Sequence, residues 1–183
     1  EAHSDGILGP GGKGLVAQLG LENRVHLSLS TFGKAYGTMG ACAFGSKLMI
    51  DYLINHARSF IYSTAISPGA VISMQKAVEV ATRESFRRES VLKMSANFRQ
   101  RIKEAGINCL QSETQIVPVV LGTLEKTRKC HAFLLEKGFC TAYVRPPTVP
   151  NGTARLRINI CASHKEKDIE SLAEALILYI QHQ

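Results

Sequence analysis

The alternation of apolar and polar positions predicts short strands and helices in the first third of the chain. Residues 25–31 alternate apolar and polar side chains as a half-buried strand does, and residues 40–45 predict a second strand of small residues. Residues 46–57 carry apolar side chains at helical spacing, and residues 59–63 predict a further strand. This order of elements indicates an α/β fold.

A long helix is predicted next. Pro68 suits the first position of a helix, and the apolar spacing continues, with room for a bend, to about residue 105. Gly106 then stops the helix. The side chains predicted to face inward are Val71, Met74, Val78 and Ala81.

From residue 107 the pattern indicates a compact α/β module. Strands are predicted over residues 116–122, 139–144 and 154–160, with a helix over 124–137 that Gly138 ends. A final helix follows, for which Ser163 and Glu166 have the spacing of a capping box. Its apolar face comprises Ile169, Leu172, Ala173, Leu176 and Ile180.

The change of pattern places a domain boundary inside or just after the long helix. We therefore expect residues 1–90 and residues 91–183 to belong to different domains, with no flexible linker between them. The 183 residues, 45% of them hydrophobic, suffice for a packed core. The first residue is Glu1 and no cap or turn precedes it, so we expect the natural chain to begin upstream.

Composition excludes several classes of function. The longest apolar runs are too short to cross a bilayer, which predicts a soluble, cytoplasmic protein with no membrane partner. The net charge of +7 is scattered over helices and Trp is absent, which argues against nucleic-acid binding. The histidines and cysteines are dispersed, so no metal site is expected. Free, buried thiols are predicted at Cys42, Cys109, Cys130, Cys140 and Cys161.

The glycine-rich opening over residues 6–14 does not form a phosphate-binding P-loop. That motif needs Gly, four residues, then Gly-Lys followed by Ser or Thr. Ile7 stands where the first glycine is needed, and Gly14 follows Lys13. A surface turn is the better interpretation.

Lys34 lies in a turn that follows the first predicted strand. The small residues Ala35, Gly37 and Gly40 would allow a bulky group to approach the backbone closely. A partly desolvated lysine on such a turn is the kind of amine that forms Schiff bases. On spacing alone, an ordinary surface lysine is the more economical interpretation.

Three segments in chain order change this balance. Residues 1–9 (EAHSDGILG), 30–35 (STFGKA) and 60–65 (FIYSTA) resemble successive motifs of the α-oxoamine synthases. These are fold-type I enzymes that use pyridoxal 5'-phosphate (PLP) to condense an amino acid with an acyl-CoA, with loss of carbon dioxide. The resemblance implies the aspartate-aminotransferase-like α/β fold, of which this chain would be the carboxy-terminal portion. Residues 1–90 would be the end of the large PLP-binding domain, and residues 91–183 the small carboxy-terminal α/β domain.

The run VRPPTVPNGTARLR over residues 144–157 narrows the resemblance within that family. It is similar to the signature of the member that acts in biotin synthesis. The reaction so implied joins L-alanine to pimeloyl-CoA, or to a pimeloyl-carrier thioester. Alternatives are a family member that uses glycine and acetyl-CoA, another oxoamine synthase, and a catalytically silent subunit that keeps the fold.

The resemblance also implies roles for residues of the first domain. Lys34 matches the lysine that holds PLP covalently as a Schiff base and serves as acid and base at the substrate α-carbon. Thr31 matches a ligand of the cofactor phosphate, and His3 the histidine on the phenolic oxygen of the cofactor. Ser63 and Thr64 match the segment that reaches the cofactor of a second subunit, which implies a homodimer with a shared active site.

In the second domain, Arg157 matches the arginine that binds the substrate carboxylate. Arg145 and Thr148 match positions that line the substrate pocket. An aspartate that pairs with the pyridine nitrogen would come immediately before Glu1, outside the given sequence.

Simpler interpretations stay open for these residues. His3 could be a solvated loop residue, and Ser63 or Thr64 could end a strand and cap the next helix. Arg155 alternates with Arg157 along a strand, so the two share a face and one could be merely solvated.

Overall fold

Residues 1–182 are described by a computed structural model of the chain. They divide into two units, Glu1–Arg88 and Glu89–Gln183. Helix α5 (Ser85–Glu104) contains the dividing point. That the first unit is the end of a large cofactor-binding domain, and the second a small domain, stays a prediction.

The first unit is built around a two-stranded antiparallel hairpin. Strand β1 (Leu27–Thr31) pairs with β2 (Ala41–Gly45), and the register runs from Leu27 opposite Gly45 to Thr31 opposite Ala41. Helix α2 (Lys47–His56) follows, and Ser46 caps it by accepting a hydrogen bond from the Met49 N–H. The remaining elements of this unit are a 3-10 turn at Pro10–Gly12, α1 (Leu15–Gln18), α3 (Arg58–Ile61) and α4 (Pro68–Arg83).

The prediction of a strand over residues 59–63 is wrong. Arg58–Ile61 forms one turn of helix, and its side chains, like those of residues 62 and 63, are exposed. A short apolar run such as this one is compatible with either element. The sheet of this unit contains only β1 and β2, so the run has no strand partner there.

The single long helix predicted from residue 68 to about 105 is two helices. The chain leaves the helical conformation at Glu84, with φ −102° and ψ 61°, between α4 and α5. Two arginines, Arg83 and Arg87, hydrogen-bond the Glu84 carboxylate at this break. Of the side chains predicted to face inward, Met74 is buried, whereas Val71 and Val78 are exposed.

The second unit contains a three-stranded antiparallel sheet in the order β3-β5-β4. Its strands β3 (Ile116–Gly122), β4 (Ala142–Val144) and β5 (Ala154–Asn159) lie where the sequence predicts strands, although β4 is shorter. Helix α6 (Leu124–Glu136) is capped by Thr123, whose hydroxyl accepts a hydrogen bond from the Lys126 N–H. The last helix is α7 (Glu166–Gln181).

The core of the second unit lies between its sheet and its helices. Every second residue of the central strand β5 is buried, which is the pattern of a sheet covered on one face. The helices supply the other half of the core, and the predicted apolar face of α7 is buried at four of its five positions. The largest fully buried apolar side chains are Phe98, Ile102, Leu134, Leu156, Leu176, Val117 and Val119.

The capping box predicted for the last helix is wrong. Helix α7 has Lys165 as its N-cap residue, and no side chain caps it. The hydroxyl of Ser163 lies 3.2 Å from the Cys161 Sγ instead. Two residues separate Ser163 from the first helical residue, Glu166, so its hydroxyl is misplaced for capping.

The cysteines are free, as expected, but only two are buried. Cys109 and Cys130 lie in the core, whereas Cys42, Cys140 and Cys161 are exposed. Burial raises the pKa of the Cys130 thiol to about 12, so this thiol stays protonated at neutral pH. The prediction of burial was wrong for Cys42, Cys140 and Cys161, because an apolar neighbourhood in sequence does not fix which face of a strand or loop a residue occupies.

Within residues 1–182, no helix combines the length and the apolar character that crossing a membrane requires. The same residues contain no group of three or more His, Cys, Asp or Glu side chains that could hold a metal ion.

Candidate active site

Lys34 lies in the loop of residues 32–40 that joins β1 to β2. Backbone hydrogen bonds close this loop: Phe32 N–H donates to Gly40 C=O and Thr38 N–H to Phe32 C=O, both at 2.9 Å. A third bond, from Gly37 N–H to the Lys34 carbonyl, is 3.0 Å long. The hairpin therefore fixes the backbone from which the Lys34 side chain extends.

The amine of Lys34 lies beside the hydroxyl of Thr31, at the end of β1. Lys34 Nζ donates to Thr31 Oγ1 over 3.3 Å, and the lysine side chain is exposed. Partial desolvation of Lys34 was expected, and the described residues do not supply it. The reason is the composition of the loop, since Gly33, Ala35 and Gly37 carry too few atoms to cover the amine.

The segment of residues 1–6 lies along this hairpin. The Thr31 hydroxyl donates a hydrogen bond to the Ala2 carbonyl over 3.4 Å. At Gly6, where φ is +78°, an added Cβ would lie 2.8 Å from the Ala35 Cβ. The structure thus brings together the first two segments of the resemblance, far apart in sequence, and His3 lies exposed between the two anchored positions.

Glu1 holds the beginning of this segment. Its carboxylate accepts hydrogen bonds from the backbone N–H groups of Val16 at 2.7 Å and Leu15 at 2.9 Å, and it also contacts the Ser4 hydroxyl. Burial raises the pKa of this carboxyl, but the hydrogen bonds from Ser4, Val16 and Leu15 outweigh burial and hold the pKa below its usual value. The charged form of Glu1 therefore anchors the segment at neutral pH.

Ser63 and Thr64 lie in the exposed loop between α3 and α4. The Ser63 hydroxyl donates to the Ser59 carbonyl at 2.5 Å, within the turn that contains α3. Helix α4 is capped by Ser67, which accepts from the Ala70 N–H. The simpler interpretation of Ser63 or Thr64 as the cap of this helix is therefore wrong, and their contact with a cofactor phosphate stays a prediction.

Arg155 and Arg157 occupy the face of β5 opposite the core of the second unit, as their alternation predicts. Arg157 Nε donates to Asn159 Oδ1 over 3.2 Å, and Arg155 Nε to the Thr153 carbonyl over 2.9 Å. Neither arginine takes part in the salt bridges found in residues 1–182. Both guanidinium groups therefore keep N–H donors available for an anionic ligand.

Arg145 and Thr148 belong to the turn that follows β4 in the same unit. The Thr148 N–H donates to the Arg145 carbonyl at 3.0 Å, and Arg145 Nη1 donates to the Pro146 carbonyl at 3.0 Å. Both side chains are exposed. The turn holds them on adjacent backbone, and their role in a substrate pocket stays a prediction.

A family model described as aminotransferase class I and II matches residues 1–176. The chain belongs to this aminotransferase family.

Relatives within the aminotransferase family show about 40% sequence identity to the chain. The chain is 40% identical over 177 residues to 8-amino-7-oxononanoate synthase of Alkalilimnicola ehrlichii, covering 96% of this chain and 45% of that protein. It is also 40% identical over 177 residues to the enzyme of the same name from Ectopseudomonas mendocina, covering 96% and 46%. The chain thus spans about half the length of these relatives.

Solved structures resemble the chain along its whole length. A structure titled as SPT with a PLP internal aldimine matches with a TM-score of 0.92 at 26% identity, covering 100% of this chain and 46% of that one. The 8-amino-7-oxononanoate synthase of Francisella tularensis matches in fold, with a TM-score of 0.89 at 22% identity, covering 100% and 54%. The predicted fold, that of PLP-dependent aminotransferases, is confirmed.

The donor set around Lys34 fits the cofactor for which this fold is known. Among the salt bridges of residues 1–182, none includes the Lys34 amine. The amine therefore does not have to leave a carboxylate before it reacts with the cofactor. The adjacent Thr31 hydroxyl suits a phosphate oxygen, and the bare loop leaves space beside the amine. Lys34, Thr31 and His3 could therefore hold PLP.

Sequence reasoning missed the residues that join the two segments. The Thr31 hydroxyl donates to the Ala2 carbonyl, 29 positions away in sequence, and nothing in either residue's local pattern signals this contact. The close approach of Gly6 to Ala35 left only a weak signal in the sequence, the small size of both residues.

Proposed function

We propose that the protein containing this chain is 8-amino-7-oxononanoate synthase of biotin synthesis. It would condense L-alanine with pimeloyl-CoA, or a pimeloyl-carrier thioester, in a PLP-dependent reaction that releases carbon dioxide. The observation that carries the proposal is the 40% identity to enzymes of that name over 96% of the chain. The arrangement of Lys34 and Thr31 on one hairpin supports it.

Lys34 would carry out the proton transfers of this reaction. PLP, when bound, supplies an electron sink for the negative charge that develops at the substrate α-carbon. The Lys34 Nζ, fixed by the closed loop of residues 32–40, would hold the cofactor covalently and then take the α-proton of alanine. Thr31 would bind the cofactor phosphate, and His3 would hydrogen-bond its phenolic oxygen.

The arginines of the second unit would bind the substrates. Arg157 would form a bidentate pair with the alanine carboxylate, for which a planar guanidinium suits better than an ammonium. Arg145 and Thr148 would line the acyl pocket. Ser63 and Thr64 would reach the cofactor of a second subunit, which makes a homodimer in the cytoplasm part of the proposal.

Replacing Arg157 by alanine should raise the KM for alanine by about 10- to 100-fold, because a charge-assisted hydrogen bond contributes about 1.5–3 kcal/mol. Arg157→Lys should raise the KM for alanine less than Arg157→Ala does, since lysine keeps the positive charge but lacks the planar pair of N–H donors. Steady-state kinetics with alanine and the acyl-CoA varied separately measures this. Arg128→Ala, on the exposed face of α6, is the matched control and should leave both KM values unchanged. A rise confined to the KM for the acyl-CoA would contradict the assignment.

A second substrate pair has support from the SPT structures, which match at 26% identity and a TM-score of 0.92. A related structure is titled as serine palmitoyltransferase from S. paucimobilis with a bound PLP–myriocin aldimine. Serine with palmitoyl-CoA is therefore a candidate beside glycine with acetyl-CoA. A catalytically silent subunit is the remaining alternative.

A thiol-release assay on the full-length protein distinguishes these reactions. The protein is offered alanine with pimeloyl-CoA, glycine with acetyl-CoA, and serine with palmitoyl-CoA, and the free CoA and the amino ketone are measured together. We expect turnover with the first pair at a kcat/KM well above that of the other two. Turnover restricted to another pair would overturn the substrate assignment, and no turnover with any pair would favour the silent subunit.

A further inference from the structure

The guanidinium group of Arg157 is hydrogen-bonded to a neutral side chain of its own strand. Its Nε donates to the Oδ1 of Asn159 over 3.2 Å, and both residues lie on the face of β5 opposite the core. Opposite Arg157 in the sheet are Pro118 on β3 and Ala142 on β4, whose side chains carry no polar atom. Asn159 is not among the residues that the proposed function uses.

The sheet fixes the backbone of Arg157 but not its guanidinium group. Several rotatable bonds separate the guanidinium from the backbone, so the hydrogen bonds of the ladder leave its direction open. Asn159 is two positions further along β5, about 7 Å away on the same face, which is within reach of an arginine side chain. The contact that directs the guanidinium is therefore made by the side chain of Asn159.

Asn159 binds the guanidinium without neutralising it. The arginines that form salt bridges in residues 1–182, which are Arg83, Arg87 and Arg101, pair with glutamates. None of the salt bridges found in those residues includes Arg157. An amide oxygen accepts a hydrogen bond and carries no full negative charge, so the charge of Arg157 stays available to an anionic ligand.

The bond to Asn159 also decides which nitrogens of Arg157 can face a ligand. A guanidinium can bind a carboxylate through Nε and one terminal nitrogen, or through both terminal nitrogens. Because Nε donates to Asn159, the terminal nitrogens Nη1 and Nη2 remain for a bidentate pair. Arg155 differs, since its Nε donates over 2.9 Å to the carbonyl of Thr153, in the opposite direction along the chain.

We propose that Asn159 is a positioning residue, which holds the Arg157 guanidinium so that both terminal nitrogens face the substrate carboxylate. The inference rests on the proposed function, since Arg157 is its assumed carboxylate ligand. Asn159 acts through Arg157, so its removal should weaken the binding of the amino acid and leave the chemical step unchanged.

Steady-state kinetics of the full-length protein with Asn159→Ala tests this role. The KM for alanine should rise by about 2- to 10-fold, the effect of one net hydrogen bond, while kcat and the KM for the acyl-CoA keep their wild-type values. In an Arg157→Ala background the same change should have no further effect, because the partner of Asn159 is already gone. An unchanged KM for alanine, or an equal rise in both backgrounds, would overturn the positioning role.

Two conservative variants separate positioning from a general effect on the strand. Asn159→Gln keeps a neutral acceptor and should recover most of the affinity for alanine that Asn159→Ala loses. Asn159→Asp keeps the shape and an acceptor but adds a negative charge, so it should raise the KM for alanine at least as much as Asn159→Ala. Asn97→Ala, at an exposed position of α5, is the control and should behave as wild type. A wild-type KM in Asn159→Asp would contradict the need for a neutral partner.

NMR of the Arg157 Nε–H group gives a readout that does not depend on turnover. Its resonance is assigned by its loss in Arg157→Lys, and its exchange with solvent is measured in the full-length protein. Asn159→Ala should speed this exchange by about 2- to 10-fold, whereas Asn97→Ala should not. If wild type turns over none of the substrate pairs, the proposed function fails, but this exchange still decides whether Asn159 holds Arg157. Equal exchange rates in wild type and Asn159→Ala would refute the inference.

Discussion

Replacing Lys34 by alanine is expected to abolish the visible absorbance of bound PLP. Turnover should fall by about 10²–10⁴-fold or more, since this is the range attributed to a general acid or base alone. Lys34 is the only lysine in the loop of residues 32–40, and its amine already lies 3.3 Å from the Thr31 hydroxyl. No neighbouring side chain of that loop could replace the amine. Absorbance spectra and condensation rates on the full-length protein measure both effects.

The control for this change is Lys47→Ala. Lys47 is an exposed lysine on α2 that pairs with Asp51, and removing a surface ion pair of this kind costs about 0–1 kcal/mol. We expect its absorbance and turnover to equal those of wild type. Retention of the absorbance band in Lys34→Ala would mean that another lysine holds the cofactor.

Leu156→Ala should destabilise the second unit by about 2–5 kcal/mol, the range for removing a fully buried leucine side chain. Leu156 is 0% exposed and lies on the central strand β5, opposite Val119 of β3 and Tyr143 of β4. The cavity would open in the middle of the core, where neighbours on both sides are held by the sheet. Urea denaturation followed by circular dichroism measures the loss.

Leu135→Ala provides the matched comparison for the core variant. The same atoms are removed, but Leu135 is 53% exposed on α6, and surface changes usually stay within about 0.5 kcal/mol. Equal losses in the two variants would contradict the position of β5 at the centre of the core. A large loss at Leu156 alone would support it.

The fold of the second unit could be predicted closely from its sequence. Strand β3 occupies the predicted residues 116–122, and α6 ends one residue before its predicted limit. Apolar periodicity was informative here because each element buries one face against a common core. In the first unit few side chains are buried, so the same signal misled: residues 59–63 were predicted as a strand and form a turn of helix.

The break at Glu84 shows a second limit. Neither proline nor glycine marks it, and the apolar spacing continues past it. At this break, Arg83 and Arg87 both donate hydrogen bonds to the Glu84 carboxylate. Because the apolar spacing is helical on both sides of Glu84, periodicity alone does not reveal the break.

The candidate site was predictable where its contacts are local. Lys34 and Thr31 are three positions apart, so a motif on one turn could reveal both. The hydrogen bond from Thr31 to the Ala2 carbonyl joins distant positions, and only folding brings them together. The exposure of Lys34 was not predicted, because the small loop residues that leave space for a ligand also leave the amine uncovered.

The most direct test of the account is to map where PLP becomes attached. The full-length protein is incubated with PLP, reduced with borohydride to fix any Schiff base, digested and analysed by mass spectrometry. We expect the pyridoxyl phosphate modification on Lys34 at close to one equivalent per chain, and we expect none after the same treatment of Lys34→Ala. Modification of a different lysine, or of none at a saturating PLP concentration, would contradict it.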